Sequence, residues 1–243
     1  MSEGERFEFK FLLTARQRDE VCAVFNGALR PDTQGGSSGV YPVVSLYYDT
    51  PDWRCYWEAW RGLPSRRKLR VRVYGTADGD IAPTSFVEVK HKLDGLGVKR
   101  RIHTAIPRAL EIGRGRGDAG SFAPIEARVV REVHRLVQQE GFRPVCTMRY
   151  RRHAFALHLD KIAEPLRITF DDEMGARFRD LQPEPDDRRC DLLLLPADHL
   201  VMELKGLGAV PAPVAGLLAK CGLAPRSFSK YCAAVRLSGA HSS

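Results

Sequence analysis

The sequence predicts an α+β domain: a closed or nearly closed barrel of about eight antiparallel strands with flanking helices. Three observations predict it. First, short stretches alternate apolar and charged residues with a period of two. Lys68, Arg70 and Arg72 alternate with Leu69, Val71 and Val73, while Phe86, Glu88 and Lys90 alternate with Val87, Val89 and His91. Successive side chains of a strand point to opposite faces, so each such strand has one apolar and one charged face. Second, such stretches recur along the 243 residues without the regular strand–helix alternation of a parallel sheet. Third, the charged faces of several strands are dominated by Arg and Lys.

In chain order, Arg6 to Leu13 reads as the first strand, with Arg6, Glu8 and Lys10 on one face and Phe7, Phe9 and Phe11 on the other. Thr14 is placed to cap a following helix whose apolar stripe is Val21, Phe25 and Leu29. Residues 31–42 are glycine-rich and polar and are expected to form a flexible loop. Val43 to Asp49 is the next strand, ended by Thr50, Pro51 and Asp52. The aromatic stretch Trp53 to Trp60 predicts a short helix or turn under the sheet.

A basic hairpin follows from Arg66 to Arg101, broken by a Gly/Asp-rich interruption. Within 105–122, the Gly-x-Gly-x-Gly of Gly113, Gly115 and Gly117 lacks the Lys-Ser/Thr of a phosphate-binding loop and does not link an apolar strand to a helix, so it is expected to be plain loop. Pro124 to Gln139 is the clearest helix, with Ile125, Val129, Val133, Leu136 and Val137 as its stripe and His134 on its polar side. Strands resume at Val145 to Leu157, Leu166 to Asp171, a short Ala176 to Leu181, and His199 to Lys205. Two short tail helices close the chain, the second with Ser227 as its expected cap. No internal repeat or low-complexity segment appears, and one domain spanning 1–243 is expected.

Composition narrows the function. The 38 Lys+Arg against 30 Asp+Glu leave a net charge of +8, which favours anionic partners. No run of about 18 apolar residues exists, and the first residues lack the layout of a signal peptide. The six cysteines are scattered without a C-x-x-C pair, which argues against a zinc site and a secreted disulfide framework. A cytoplasmic protein is expected.

If the charged faces turn inward, the lumen holds Lys10, Arg70, Arg72, Lys90, Lys99, Arg101, Arg152 and Arg167, with Glu8, Glu88, Glu203 and Asp171 among them. Unpaired buried charge is costly, so such a space calls for a polyanion. A linear tri- or polyphosphate suits it, because Arg grips phosphate oxygens bidentately while Lys supplies point charge. The carboxylates would hold Mg²⁺ or Mn²⁺, hard ions that bridge carboxylate and phosphate oxygens. The bland alternative is that the charged faces simply meet water. Nucleic-acid binding is disfavoured, since exposed aromatics interleaved with the basic residues are not evident.

These residues carry a resemblance. R-F-E-F-K-F at 6–11, S-L-Y-Y-D-T at 45–50, K-L-R-V-R-V-Y at 68–74, F-V-E-V-K at 86–90 and V-K-R-R at 98–101 come first. Y-R-R-H-A-F at 150–155, R-I-T-F-D at 167–171, V-M-E-L-K at 201–205 and S-F-S-K-Y-C at 227–232 follow. In this order they resemble the VTC domain of the polyphosphate polymerases, within the triphosphate tunnel superfamily.

The resemblance implies a tunnel of eight antiparallel strands that transfers the γ-phosphate of ATP to a growing polyphosphate with a divalent metal. It implies that Lys10, Arg70, Arg72, Lys90, Lys99, Arg101 and Arg152 grip the phosphate chain, with Tyr150 as a hydrogen-bonding companion. Glu203 is implied as the Mn²⁺ or Mg²⁺ ligand, and Ser229 and Lys230 as phosphate contacts near the tunnel mouth. Arg6 stands where the related triphosphatases have the first Glu of E-x-E-x-K, which fits the polymerase branch better. The membrane helices and SPX domain that accompany eukaryotic members have no counterpart here, so polymer synthesis without translocation is expected. A triphosphate or NTP hydrolase in the same tunnel, and a polyphosphate- or nucleotide-binding module without turnover, are the alternatives.

Overall fold

The computed structural model describes residues 6–75, 83–94, 96–159 and 164–242; the Gly/Asp-rich interruption at 76–82 lies outside them. The first strand, β1 (Arg6–Thr14), runs into α1 (Ala15–Val24). Thr14 caps that helix reciprocally: its hydroxyl accepts from the Gln17 amide at 3.3 Å, and the Gln17 side chain accepts from the Thr14 amide at 3.0 Å.

The segment expected to be a flexible loop is ordered. β2 (Leu29–Pro31) pairs with Phe155–Leu157, and a 3-10 turn at Thr33–Gly35 is capped by Asp32. Gly35 is buried, with Val40 and Tyr41 so close that a Cβ there would collide. The glycines that suggested looseness are what let this backbone pack.

β3 (Val40–Asp49) leads to α2 (Arg54–Trp60), the helix expected from the aromatic stretch. Asp49 is fully buried and organises this corner. It accepts from the amides of Thr50, Cys55 and Tyr56 at 2.7, 2.8 and 3.1 Å and from the Tyr231 hydroxyl at 2.5 Å. The basic hairpin forms β4 (Arg66–Tyr74), β5 (Thr84–Leu93) and β6 (Leu96–Thr104).

α3 (Ile106–Gly113), which the sequence reading did not assign, leads into the glycine run, and 114–118 is loop as expected. Gly113 ends the helix where the Tyr48 hydroxyl leaves no room for a Cβ, and Gly115 and Gly117 turn the chain with φ of 72° and 93°. α4 (Pro124–Gln138) is as expected except that Ile125 is exposed. His134 lies on its polar side and reaches the Arg116 carbonyl at 2.9 Å.

β7 (Arg143–Leu157) and β8 (Leu166–Arg177) are long. β8 joins the stretch read as 166–171 to Ala176 and Arg177, because a bulge carries it past Glu173, whose φ is 48°; residues 178–181, read as part of a further strand, lie outside it. β9 (Leu192–Leu193) adds to its edge, and β10 (His199–Leu207) follows. α5 (Ala212–Lys220) and α6 (Lys230–Ser238) end the chain, the latter capped by Ser229 rather than Ser227.

The main sheet runs β1-β10-β8-β7-β3-β4-β5-β6, antiparallel throughout. It is not closed: β1 and β6 are its two free edges, so the expected barrel is a curled trough. The curl is measurable. Lys10 of β1 reaches the Phe228 carbonyl at 3.2 Å, while Lys68 of β4 reaches the next residue, Ser229, at 3.0 Å. In a flat sheet those strands would lie five spacings, or about 24 Å, apart.

Two apolar clusters cover the convex side. One packs Leu69, Val71, Val87, Val89 and Ile102 against α3 and α4. The other packs Phe11, Leu13, Ile168, Phe170, Met202 and Leu204 against α1 and α5. With the apolar face of each strand committed outward to helices, period two turns the charged face inward. No helix among the described residues is long and apolar enough to cross a membrane.

Candidate active site: the charged inner face

Strand register brings the predicted residues together. Lys10 pairs with Glu203, and Glu8 with Lys205, across β1 and β10; Asp171 pairs with Arg152 across β8 and β7. Arg70 pairs with Glu88, which pairs with Arg101, and Lys90 pairs with Lys99, across β4, β5 and β6. These residues share the inner face with Arg72, Tyr150 and Arg167. The bland expectation, that the charged faces are the solvated outside, does not hold.

Two ion-pair clusters line the trough. The first surrounds Glu88, which is 1% exposed. Its carboxylate takes Arg70 at 2.6 Å, Lys99 at 3.1 Å and Arg72 at 4.0 Å. Burial pushes the Glu88 carboxyl up, but the three cations outweigh it and hold the group well below the usual range. Arg70 also donates to the Tyr47 hydroxyl at 3.1 Å, and Arg72 to Ser45 at 3.2 Å. A small cavity lies between Tyr47, Lys68, Arg70, Glu88, Lys90 and Lys99.

The second cluster joins β1, β7, β8, β10 and α6. Arg152 forks onto Asp171 at 2.7 and 2.8 Å, and Lys230 meets the same carboxylate at 2.6 Å. Both cations lie over the Tyr150 ring, at 5.3 and 4.8 Å from its centre. Tyr150 presents its ring face to both cations.

Glu203 receives Lys205 at 3.1 Å, Lys10 at 3.7 Å and Lys230 at 4.0 Å. Burial raises its carboxyl, and Lys230, Lys205, Arg152 and Lys10 more than reverse this. Asp171 is likewise lowered against burial by Arg152 and Lys230. Lys90 behaves differently. Desolvation and the charges of Lys10, Lys205 and Arg70 hold its ammonium below the ordinary value, partly relieved by Glu8. The charges of Glu8 and Lys10 on β1 thus act on Lys90 of β5 across the trough.

The cations are partly offset by Glu88, Asp171 and Glu203, while Lys90 and Arg101, with the Glu88-paired Lys99, lie on the more open arm. Ser229 is placed by its duty as helix cap: it accepts from the Cys232 amide at 3.2 Å and from Lys68.

Several functional neighbours were missed: Tyr47, Lys68, Lys205 and Tyr231. Lys68 and Lys205 continue the period-two pattern that singled out Arg70 and Glu203, so that signal was available. Tyr47 stacks on Tyr231 at 5.2 Å, a contact 184 residues apart in sequence that no local pattern announces.

Among the described residues no group of three His, Cys, Asp or Glu gathers as a metal cage. Glu203 and Glu8 do lie side by side, bridged by Lys10 at 3.7 and 3.6 Å and by Lys205 at 3.1 and 3.4 Å. Mg²⁺ commonly takes one or two carboxylates and completes its shell with substrate phosphates and water. The pair fits a metal shared with phosphate.

Comparison with curated proteins returns no match. The family model of the VTC domain matches residues 5–238, which takes in every element from β1 to α6 and both ion-pair clusters. By that match the chain belongs to the VTC domain family.

Proposed function

We propose that this protein is an ATP-dependent polyphosphate polymerase. VTC membership implies a polyphosphate polymerase domain of the triphosphate tunnel type. One observation supports the finer reading: two cation clusters, around Glu88 and around Asp171 and Glu203, face one another across a single trough.

Phosphoryl transfer asks a protein mainly for positioning and charge neutralisation. In this reading Arg70, Arg72 and Arg152 grip phosphate oxygens, and Lys10, Lys90, Lys99, Arg101 and Lys230 neutralise the rest of the chain. Tyr150 holds Arg152 and Lys230 on its ring, and Ser229 keeps Lys68 at hand. A terminal oxygen of the polyphosphate attacks the γ-phosphorus of ATP. The new P–O–P bond forms as the bond to the β-phosphate oxygen breaks, and ADP leaves with that electron pair, its charge met by the flanking arginines. Mn²⁺ or Mg²⁺, held by Glu203 with Glu8 beside it, would supply further neutralisation of the phosphate oxygens.

The test is incubation with ATP and Mn²⁺, resolving polymer on a gel while assaying ADP and free phosphate. Polymer matched by ADP is expected, reduced at least about a hundredfold in Arg70→Ala and Glu203→Gln. Free phosphate without polymer would instead support hydrolysis. The placement of Glu8 beside Glu203 favours that second reading, because it restores a second carboxylate despite Arg6. Neither product, with tight polyphosphate binding, would leave a binding module.

A further inference from the structure

Beside the arginines of the trough, four aromatic rings run in contact across four strands. Tyr41 of β3 meets Tyr74 of β4 at 5.6 Å, Tyr74 meets Phe86 of β5 at 5.7 Å, and Phe86 meets His103 of β6 at 5.0 Å between ring centres. Exposure rises along the row: Tyr41 is buried, Tyr74 and Phe86 are partly covered, and His103 is open to solvent. Two guanidinium groups lie over it, Arg72 on Tyr74 at 5.9 Å and Arg101 on Phe86 at 4.7 Å.

Register places this row against the phosphate site. Phe86 sits opposite both Arg72 and His103, and two residues along β5, Glu88 sits opposite Arg70 and Arg101. Two residues of strand cover about 7 Å, which is close to the span of a ribose between its α-phosphate and its base. The row's open end therefore offers flat ring and guanidinium surface one nucleoside's length from Arg70. Buried aromatic packing explains Tyr41. It does not explain rings carried out to a solvent-exposed edge strand, on a face where the neighbouring positions are charged.

We propose that Phe86, His103 and the Arg101 guanidinium form a nucleobase subsite, on which the base of the donor nucleotide stacks while its phosphates lie along Arg72 and Arg70. This rests on the nucleotide reading of the trough given above and adds to it. Donor and acceptor are both phosphate chains, and the cations alone do not tell them apart; a stacking surface at one end assigns that end to the donor. Stacking tolerates any base because every base has a π-face. The subsite thus selects nucleotide over inorganic phosphate without reading base edges.

The experiment is calorimetric titration of ATP, CTP and inorganic tripolyphosphate into the intact protein and into His103→Ala, Phe86→Leu and the double variant. Phe86→Leu keeps an apolar side chain beneath Arg101, and His103 is exposed, so both variants should fold; thermal melting checks this. The double variant is expected to bind ATP about tenfold more weakly, with tripolyphosphate within about twofold of the intact protein. ATP affinity unchanged in the double variant would overturn the subsite. So would an equal loss for both ligands, which would make the row a mere support for Arg101. An intact protein that binds tripolyphosphate but not ATP overturns the subsite and spares the phosphate site. One that binds neither overturns both readings.

Discussion

Glu88 shows at the scale of one residue how the trough keeps its charge. It is buried, and Arg70, Arg72 and Lys99 converge on it. Glu88→Gln keeps the shape and removes the charge, leaving three cations crowded without their counter-ion. Breaking a buried pair in this way costs about 3–5 kcal/mol, so the melting temperature should fall, and tripolyphosphate should raise it more than it does in the parent. Equal melting temperatures without ligand would show that these arginines are not held by Glu88. That the cations share a face was legible from period-two alternation. Their partners were not, because Lys10 finds Glu203 through the register of strands distant in sequence, and Lys230 reaches Asp171 only through the packing of α6 against the sheet.

Among the elements, α6 has the most to hold. Ser229 caps it, Lys230 at its first position reaches Asp171, and Tyr231 donates to Asp49 while stacking on Tyr47. Tyr231→Phe keeps the ring and deletes one donor to a buried carboxylate that retains three amides. A loss of about 1–3 kcal/mol is expected, read as a lower urea midpoint; an unchanged midpoint would make that hydrogen bond neutral. The helix was expected, but its cap was placed two residues early, since Ser227 and Ser229 look alike until Lys68 and the Cys232 amide choose between them. α3 went unread because it is short and runs straight into a glycine loop, with Gly113 closing it where the Tyr48 hydroxyl leaves no room for a Cβ. The break within β8 was likewise read as two strands, because a bulge interrupts alternation without interrupting pairing.

For the whole molecule, acidification gives a stability test. Glu88, Asp171, Asp172, Asp187 and Glu203 are all held below their ordinary values, each against burial and by neighbouring cations, His153 or hydrogen bonds. A depressed carboxyl contributes stability that is complete above its unfolded pKa, near 4, and is lost as pH falls through the folded value. Melting temperature should be level between about pH 6 and 8 and drop below about pH 4; a rise on acidification would contradict the ion-pair account. Architecture was legible as far as an antiparallel sheet of about eight strands with flanking helices; which way the charged faces turn was not, because alternation separates the two faces of a strand without saying which one meets water. Closure was not, since alternation describes each strand and says nothing about whether the first and last meet. They do not: β1 and β6 do not pair among the described residues, and residues 226–229 instead cross the trough from β1 to β4, where the Arg226 amide donates to the Lys10 carbonyl and Lys68 donates to Ser229. A filament in a sealed pipe must leave by its end, and the longer it grows the more of it must be drawn through. A trough left open between β1 and β6 keeps a long anion bound in it reachable from the side as well as from its ends.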